Sequence, residues 1–169
     1  MARASDMHAE TPTLHLLCGK IAAGKSTLSA CLSQDKGTIL IVEDDWLNTL
    51  HPGEMSSISD YIKRMTNLRK LIGPHVVSLL NAGVSVVLDF QANTIDARQW
   101  MRELIDLASA DHQLHFLDTP DEVCLSRLRD RNAKGDHPFA PTEEEFHRVS
   151  TYFVPPSPEE GFNIVRHTP

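Results

Sequence analysis

Apolar residues in this chain come in five short bursts, separated by stretches in which they recur every three or four positions. The bursts at 13–18 (TLHLLC), 38–43 (TILIVE), 84–90 (VSVVLDF), 112–118 and 162–166 read as strands, and 84–90, the most apolar, reads as a central buried one. The stretches at 25–32, 56–81, 94–109, 119–132 and 142–151 read as helices. Several residues mark their ends. Gly83 suits the position after a helix C-cap, Asn93 or Thr94 suits an N-cap, and Pro120 sits near a helix start. Thr142 and Glu145 have capping-box spacing. Gly73 and Pro74 predict a kink or a split in the long helix. The polar run 133–141, with Gly135, Pro138 and Pro141, reads as a loop, and Pro155, Pro156 and Pro158 break the chain before the last strand. Alternation of strand and helix predicts an α/β fold with a parallel five-stranded sheet covered on both faces. No repeat, linker or low-complexity block divides it, so one domain over 13–169 is expected, after a disordered N-terminus at 1–12.

Between the first strand and the first helix lies Gly19-Lys20-Ile21-Ala22-Ala23-Gly24-Lys25-Ser26, which matches G-x-x-x-x-G-K-[ST] at every fixed position, with Thr27 following. Strand before and helix after are the context this motif needs. Glycines let backbone N–H groups turn inward around phosphate oxygens, and the helix N-terminus adds its positive end. Lys25 is expected at the β- and γ-phosphates and the Ser26 hydroxyl on magnesium, so ATP and Mg²⁺ are the expected cofactors. The fold expected is thus a three-layer P-loop NTPase.

The ends of the next strands supply acids. In open α/β sheets ligands bind beyond the carboxyl ends of the strands. Glu43-Asp44-Asp45 ends the second strand, where a carboxylate can take the proton of an attacking hydroxyl or simply cap a following helix. Asp45 is the catalytic choice. From 43 to 60 there are five acids (Glu43, Asp44, Asp45, Glu54, Asp60) and no Lys or Arg, a local excess that favours a cationic or neutral acceptor. Trp46 is either a wall of that acceptor site or a packing residue. Asp89, near the end of the most apolar strand, suits a magnesium-water or substrate-binding acid, because a buried acid without such a role is costly. Arg98 anchors Asp89 or the acceptor, or is a plain surface arginine. Arg127 and Arg131 share a helix face beside the 133–141 loop and read as a small arginine lid over the phosphates, while Arg129 points elsewhere.

Composition narrows the picture. The formal net charge of −7 argues against a generic nucleic-acid binder. Three scattered cysteines suggest neither a disulfide framework nor a zinc site, and nine dispersed histidines offer no metal pair beyond nucleotide-bound magnesium. With no apolar run in 1–12 and no run of membrane-spanning length, the expectation is a cytoplasmic protein without membrane or obligate protein partner.

Five stretches carry a resemblance over nearly the whole chain: GKIAAGKST, VEDDWLNTLHP, VLDFQANTIDARQW, RLRDRN and YFVPPSPEEGF. Together they resemble the small P-loop kinases of the zeta-toxin and chloramphenicol-phosphotransferase type, and especially the short bacterial ATP-binding proteins called AAA-type ATPases without being true AAA machines. The resemblance implies γ-phosphoryl transfer from ATP to a hydroxyl, with Asp45 as general base, Lys25 as phosphate clamp and Arg127 with Arg131 as lid. Such kinases act on nucleotide sugars, antibiotics, sugars and polynucleotide ends, and fold does not choose among these. The acid cluster points to a cationic amino sugar such as an aminoglycoside, hence a resistance kinase. A toxin-like nucleotide-sugar kinase, a polynucleotide 5′-kinase (for which Lys63, Arg64, Arg69 and Lys70 offer some positive charge) and a non-catalytic nucleotide switch are the alternatives. YFVPPSPEEGF has no chemical role from sequence.

Overall fold

The computed structural model describes residues 11–54, 57–108, 110–135 and 140–169. The expected N-terminal tail and the centre of the 133–141 loop lie largely outside them. Five strands form one parallel sheet: β1 (Thr13–Cys18), β2 (Thr38–Val42), β3 (Ser85–Gln91), β4 (Asp111–Leu117) and β5 (Ile164–His167), in the spatial order β2-β3-β1-β4-β5. β1 therefore sits between β3 and β4, where the chain's crossovers diverge, and the crevice beyond its carboxyl end is the place such sheets bind ligands. The helices are α1 (Lys25–Leu32), α2 (Glu43–Leu50), α3 (Ile58–Asn81), α4 (Ile95–Leu107), α5 (Asp121–Lys134) and α6 (Glu143–Ser150).

Strand alternation sends successive side chains to opposite faces. Leu14, Leu16 and Cys18 of β1 join Val86, Leu88 and Phe90 of β3 in the main core, covered by Leu68, Ile72, Val76 and Leu80 of α3 and Met101 and Leu104 of α4. On the other face Leu117 packs with Ala23, Cys124, Leu128 and Phe146, which seats α5 and α6. The three cysteines are free, and burial pushes the Cys18 thiol up to about 12. Among the described residues no helix is long and apolar enough to cross a membrane.

Two local expectations change, and one alternative is decided. β2 stops at Val42, and the acids after it open helix α2, an element not expected from sequence. Three acids in a first turn favour a helix there because they face its positive end. α3 runs unbroken through Gly73 and Pro74. Pro74 is exposed while Ile72 and Val76 are buried, so the lost backbone bond faces water and core packing carries the helix on through it. Thr94, not Asn93, caps α4, accepting the Ala97 N–H. The Thr142–Glu145 capping box forms.

One polar feature of the sheet has a thermodynamic consequence. His15 Nδ1 and His115 Nε2 are 3.0 Å apart, and His115 Nδ1 and His167 Nε2 are also 3.0 Å apart, so three imidazoles on β1, β4 and β5 form a hydrogen-bonded row. His115, only 3% exposed, is pushed down to about 4 by burial and by its two neighbours; burial lowers His15 as well, against the pull of Asp35. A group with a depressed folded-state pKa binds fewer protons folded than unfolded, so its contribution to stability is present above the unfolded value and lost as pH falls toward the folded one. Glu43, raised to about 7, acts in the opposite sense across part of that window. A difference measurement separates them. Relative to His115→Gln, the wild-type protein should lose on the order of 2 kcal/mol of unfolding free energy between pH 7.5 and pH 5, read from urea curves at each pH. Parallel pH profiles for the two proteins would show that the buried row does not resist protonation.

Candidate active site

β1 delivers Gly19 against the end of β4. A Cβ at Gly19 would meet Leu117 Cβ at 3.1 Å and Ala23 Cβ at 3.2 Å, so the first glycine is required for close approach. The loop then tightens through an Ala23 N–H bond to Lys20 C=O at 3.2 Å. Ala22 has φ 59° and Gly24, the N-cap of α1, has φ 109°, the left-handed pair that turns the following N–H groups inward. Arg127 on α5 donates from Nη1 to Ala23 C=O at 3.1 Å and Thr119 Oγ1 donates to the same carbonyl at 3.2 Å, tying the loop to the β4–α5 region. Lys20 pairs with Asp121 and lies over the Phe153 ring at 5.5 Å.

Lys25 crosses the loop, with Nζ donating to Gly19 C=O at 2.6 Å and Lys20 C=O at 2.9 Å. Burial lowers its pKa, while the carboxylates of Asp89 and Asp44 act to hold it charged. Asp89 accepts from Ser29 Oγ at 2.9 Å, and the same Ser29 hydroxyl reaches Ser26 C=O at 3.1 Å. Burial raises the Asp89 pKa; the Ser29 bond and Lys25 lower it, and the nearby Asp45 charge adds to the rise. So the ends of β2, β3 and the phosphate loop converge electrostatically: Asp44 on Lys25, Asp45 on Asp89, Lys25 on Asp89. Ser26 and Thr27 are exposed at the start of α1, as are Asp44 and Asp45 at the start of α2.

Other expected residues stand differently. Arg98 is neither a surface arginine nor an acceptor contact. It is fully buried, forks onto Glu160 at 2.5 and 2.9 Å, and donates from Nη1 to Ala92 and Val154 carbonyls, each at 2.9 Å. Fully buried, with each of its three nitrogens engaged, Arg98 is out of a ligand's reach. This also gives the closing segment a role: its Glu160 holds Arg98. Glu43, the first of the acid run, points into the core, 2% exposed, facing Arg69 Nε at 3.6 Å and Tyr61 at 3.5 Å. Glu54 is engaged by Arg64 at 2.5 Å and His51 at 3.5 Å. Asp60 accepts the Ser57 hydroxyl at 2.7 Å at the start of α3. Two of the five acids are thus answered by arginines of α3 that lie beyond the counted stretch, and the case for a cationic acceptor weakens accordingly. Trp46 is 37% exposed and not part of the buried core.

Arg131 lies one helical turn beyond Arg127 on the same face. Among the described residues its Nε and Nη2 atoms are buried without a hydrogen-bond partner, and burial lowers its pKa. Arg129 pairs with Glu143 at 2.7 Å, away from that face. Sequence reasoning missed Asn93 as a site residue: its Oδ1 accepts the Gly19 N–H at 2.9 Å and its Nδ2 donates to Gly19 C=O at 3.0 Å. Read as a helix cap, it carried no signal of a partner 74 residues away. A cavity of about 320 Å³ opens beside the loop, lined by Lys20, Asp118, Thr119, Phe153 and Pro155 among others.

A loop of this geometry on a parallel β2-β3-β1-β4-β5 sheet defines a nucleotide-binding P-loop protein with the fold of small kinases. Within that class, the chain belongs to the AAA domain family, whose profile matches residues 14–156. Similar solved structures include a candidate kinase from Chloroflexus aurantiacus (21% identity, TM-score 0.70, 94% of this chain and 85% of that one) and a sugar kinase from Janibacter sp. HTCC2649 (16%, TM-score 0.62, 94% and 85%). The Mycobacterium tuberculosis APS kinase CysC, solved with AMPPNP and APS, is similar at 19% identity, TM-score 0.58, over 94% of this chain and 89% of that one. No curated protein matches the chain in sequence.

Lys25→Ala removes the charged donor at the loop and should weaken ATP affinity about ten- to a hundredfold, the range for hydrogen bonds to charged groups. Titration calorimetry with ATP and magnesium reads this directly; an unchanged dissociation constant would remove Lys25 from phosphate binding.

Proposed function

We propose that this protein is an ATP-dependent phosphotransferase that moves the γ-phosphoryl group to a hydroxyl of a small polar acceptor. The observation that carries the reading is the placement of Lys25: it donates to the loop carbonyls of Gly19 and Lys20, and the charges of Asp89 and Asp44 favour its charged form. In this reading residues 19–27 cradle the phosphates and Lys25 turns from its loop carbonyls to the β- and γ-phosphate oxygens. Arg127 and Arg131 spread the charge of the transferring group, and the unspent donors of Arg131 support that role. The cavity at Lys20, Asp118 and Phe153 is of a size to take the nucleoside end.

The residues present fit a magnesium ion. Asp89 is a half-buried carboxylate whose charge is disfavoured by burial and by Asp45, so a cation there would relieve both. Among the described residues no cluster of three or more acids, histidines or cysteines is arranged to hold a metal alone, which suits an ion that shares its shell with phosphates and water. Ser26 and Asp89 would hold it. Magnesium, when bound, neutralises charge on the β- and γ-phosphates.

The acceptor hydroxyl gives its proton to a carboxylate at the start of α2. Asp45 holds that role by position in the family pattern; Asp44 is the second reading, favoured by its pull on Lys25. Asp44→Asn and Asp45→Asn distinguish them. The base variant should lose about 10²- to 10⁴-fold in transfer rate with ATP binding intact, and equal small losses in both would leave neither as base. The acceptor is sought by mass, with magnesium-ATP against aminoglycosides, chloramphenicol, nucleotide sugars, simple sugars and a single-stranded oligonucleotide. A phosphate gained by one of them identifies the acceptor class. If ATP binds and every member stays unmodified, the transferase reading yields to a nucleotide-dependent switch.

A further inference from the structure

The Asn93 carboxamide brackets both backbone polar groups of Gly19, the first residue of the phosphate loop. Gly19 C=O thereby accepts two donors, Asn93 Nδ2 at 3.0 Å and Lys25 Nζ at 2.6 Å. A lysine that turns toward phosphate leaves that carbonyl. Asn93 then keeps it satisfied, whereas without Asn93 the carbonyl would lose its remaining protein partner or retain Lys25, and a polar group left unpaired on desolvation is costly.

Asn93 is itself held from outside the loop. Its own carbonyl accepts the Val154 N–H at 2.9 Å, and the preceding Ala92 bonds Leu17 C=O through its N–H at 3.0 Å and Arg98 through its carbonyl at 2.9 Å. Arg98 joins Ala92 to Val154 and forks onto Glu160, whose Oε1 also accepts the Ser157 N–H at 2.9 Å. A continuous set of bonds therefore runs from the 154–160 strap through buried Arg98 to Asn93 and Gly19. It contains no group aimed at a ligand, so its effect on a ligand is exerted through the loop backbone.

We propose that Asn93 is a positioning residue for nucleotide binding: it fixes the Gly19 peptide and frees Lys25 for the phosphates, and the Glu160–Arg98 strap holds Asn93 in place. This rests on the nucleotide-binding reading above but not on the identity of the acceptor. It assigns the 154–160 segment to the phosphate loop rather than to core packing alone.

The test is the dissociation constant of magnesium-ATP for the full chain and for Asn93→Ala and Glu160→Gln, measured at a temperature where each is folded, beside the thermal midpoint and the ¹⁵N–¹H shift of the Gly19 amide. Asn93→Ala is expected to weaken ATP binding about tenfold, as for loss of one to two hydrogen bonds. Glu160→Gln should weaken it by a smaller factor, about threefold, and both should move the Gly19 amide signal. A role in stability alone would lower the midpoint and leave ATP affinity where it is, whatever the Gly19 shift does, which would overturn the proposal. Should Asn93→Ala fail to fold, the affinity of Glu160→Gln decides on its own. Wild-type protein that binds no ATP would instead overturn the nucleotide-binding reading itself.

Discussion

The site depends on a single steric constraint: the residue that follows β1 must have no side chain. β1 is the strand at which crossovers diverge, so the chain leaving it has to turn at once between the end of β4 and the start of α1. Leu117 and Ala23 already fill that space on the inner side, within 3.2 Å of where a Cβ on Gly19 would lie. The backbone takes the space instead. From that close approach follow the tight turn of the loop, the N-terminus of α1 beside it, and a lysine that crosses the loop to its carbonyls.

Around this backbone burial works against the charges of both Lys25 and Asp89. Lys25 is desolvated and pulled on by Asp44 and Asp89, while Asp89 is desolvated and pushed by Asp45. Perturbed pairs of this kind, at the carboxyl ends of adjacent parallel strands, are what phosphoryl transfer needs: positive charge for the phosphates, carboxylates for a divalent ion and for a proton. By contrast the Glu54–Arg64 and Glu160–Arg98 pairs are closed by hydrogen bonds, and buried Glu43 faces Arg69 inside the core. They organise α3 and the C-terminal strap without offering charge to a ligand. The buried Arg98–Glu160 pair in particular links distant segments, which is the use for which a desolvated ion pair is best suited.

Much of this was legible in the sequence because its causes are local. Five apolar bursts at strand length, helical spacing between them and a glycine-bounded loop at the first junction determine a parallel α/β sheet with a phosphate loop, whatever the rest of the chain does. Arg127 and Arg131 on one face, with Arg129 off it, follow from helix periodicity alone. The capping box at Thr142 is local for the same reason. The continuity of α3 through Pro74 was not, since it hangs on burial of Ile72 and Val76 by other elements.

What only the tertiary structure decided is how charges and amides meet across long separations. Sequence counted five acids without a base between 43 and 60, but α3 folds Arg64 and Arg69 back onto two of them. Sequence offered Arg98 as an anchor of Asp89 or of the acceptor, or as a surface residue, but packing of the 154–160 strap buries it on Glu160. Sequence offered Asn93 or Thr94 as the cap of α4; Thr94 takes that role and Asn93 reaches Gly19 instead. Periodicity sets which face of its own element a side chain occupies; its partner is set by which other element lies against that face, and that is a property of the folded chain.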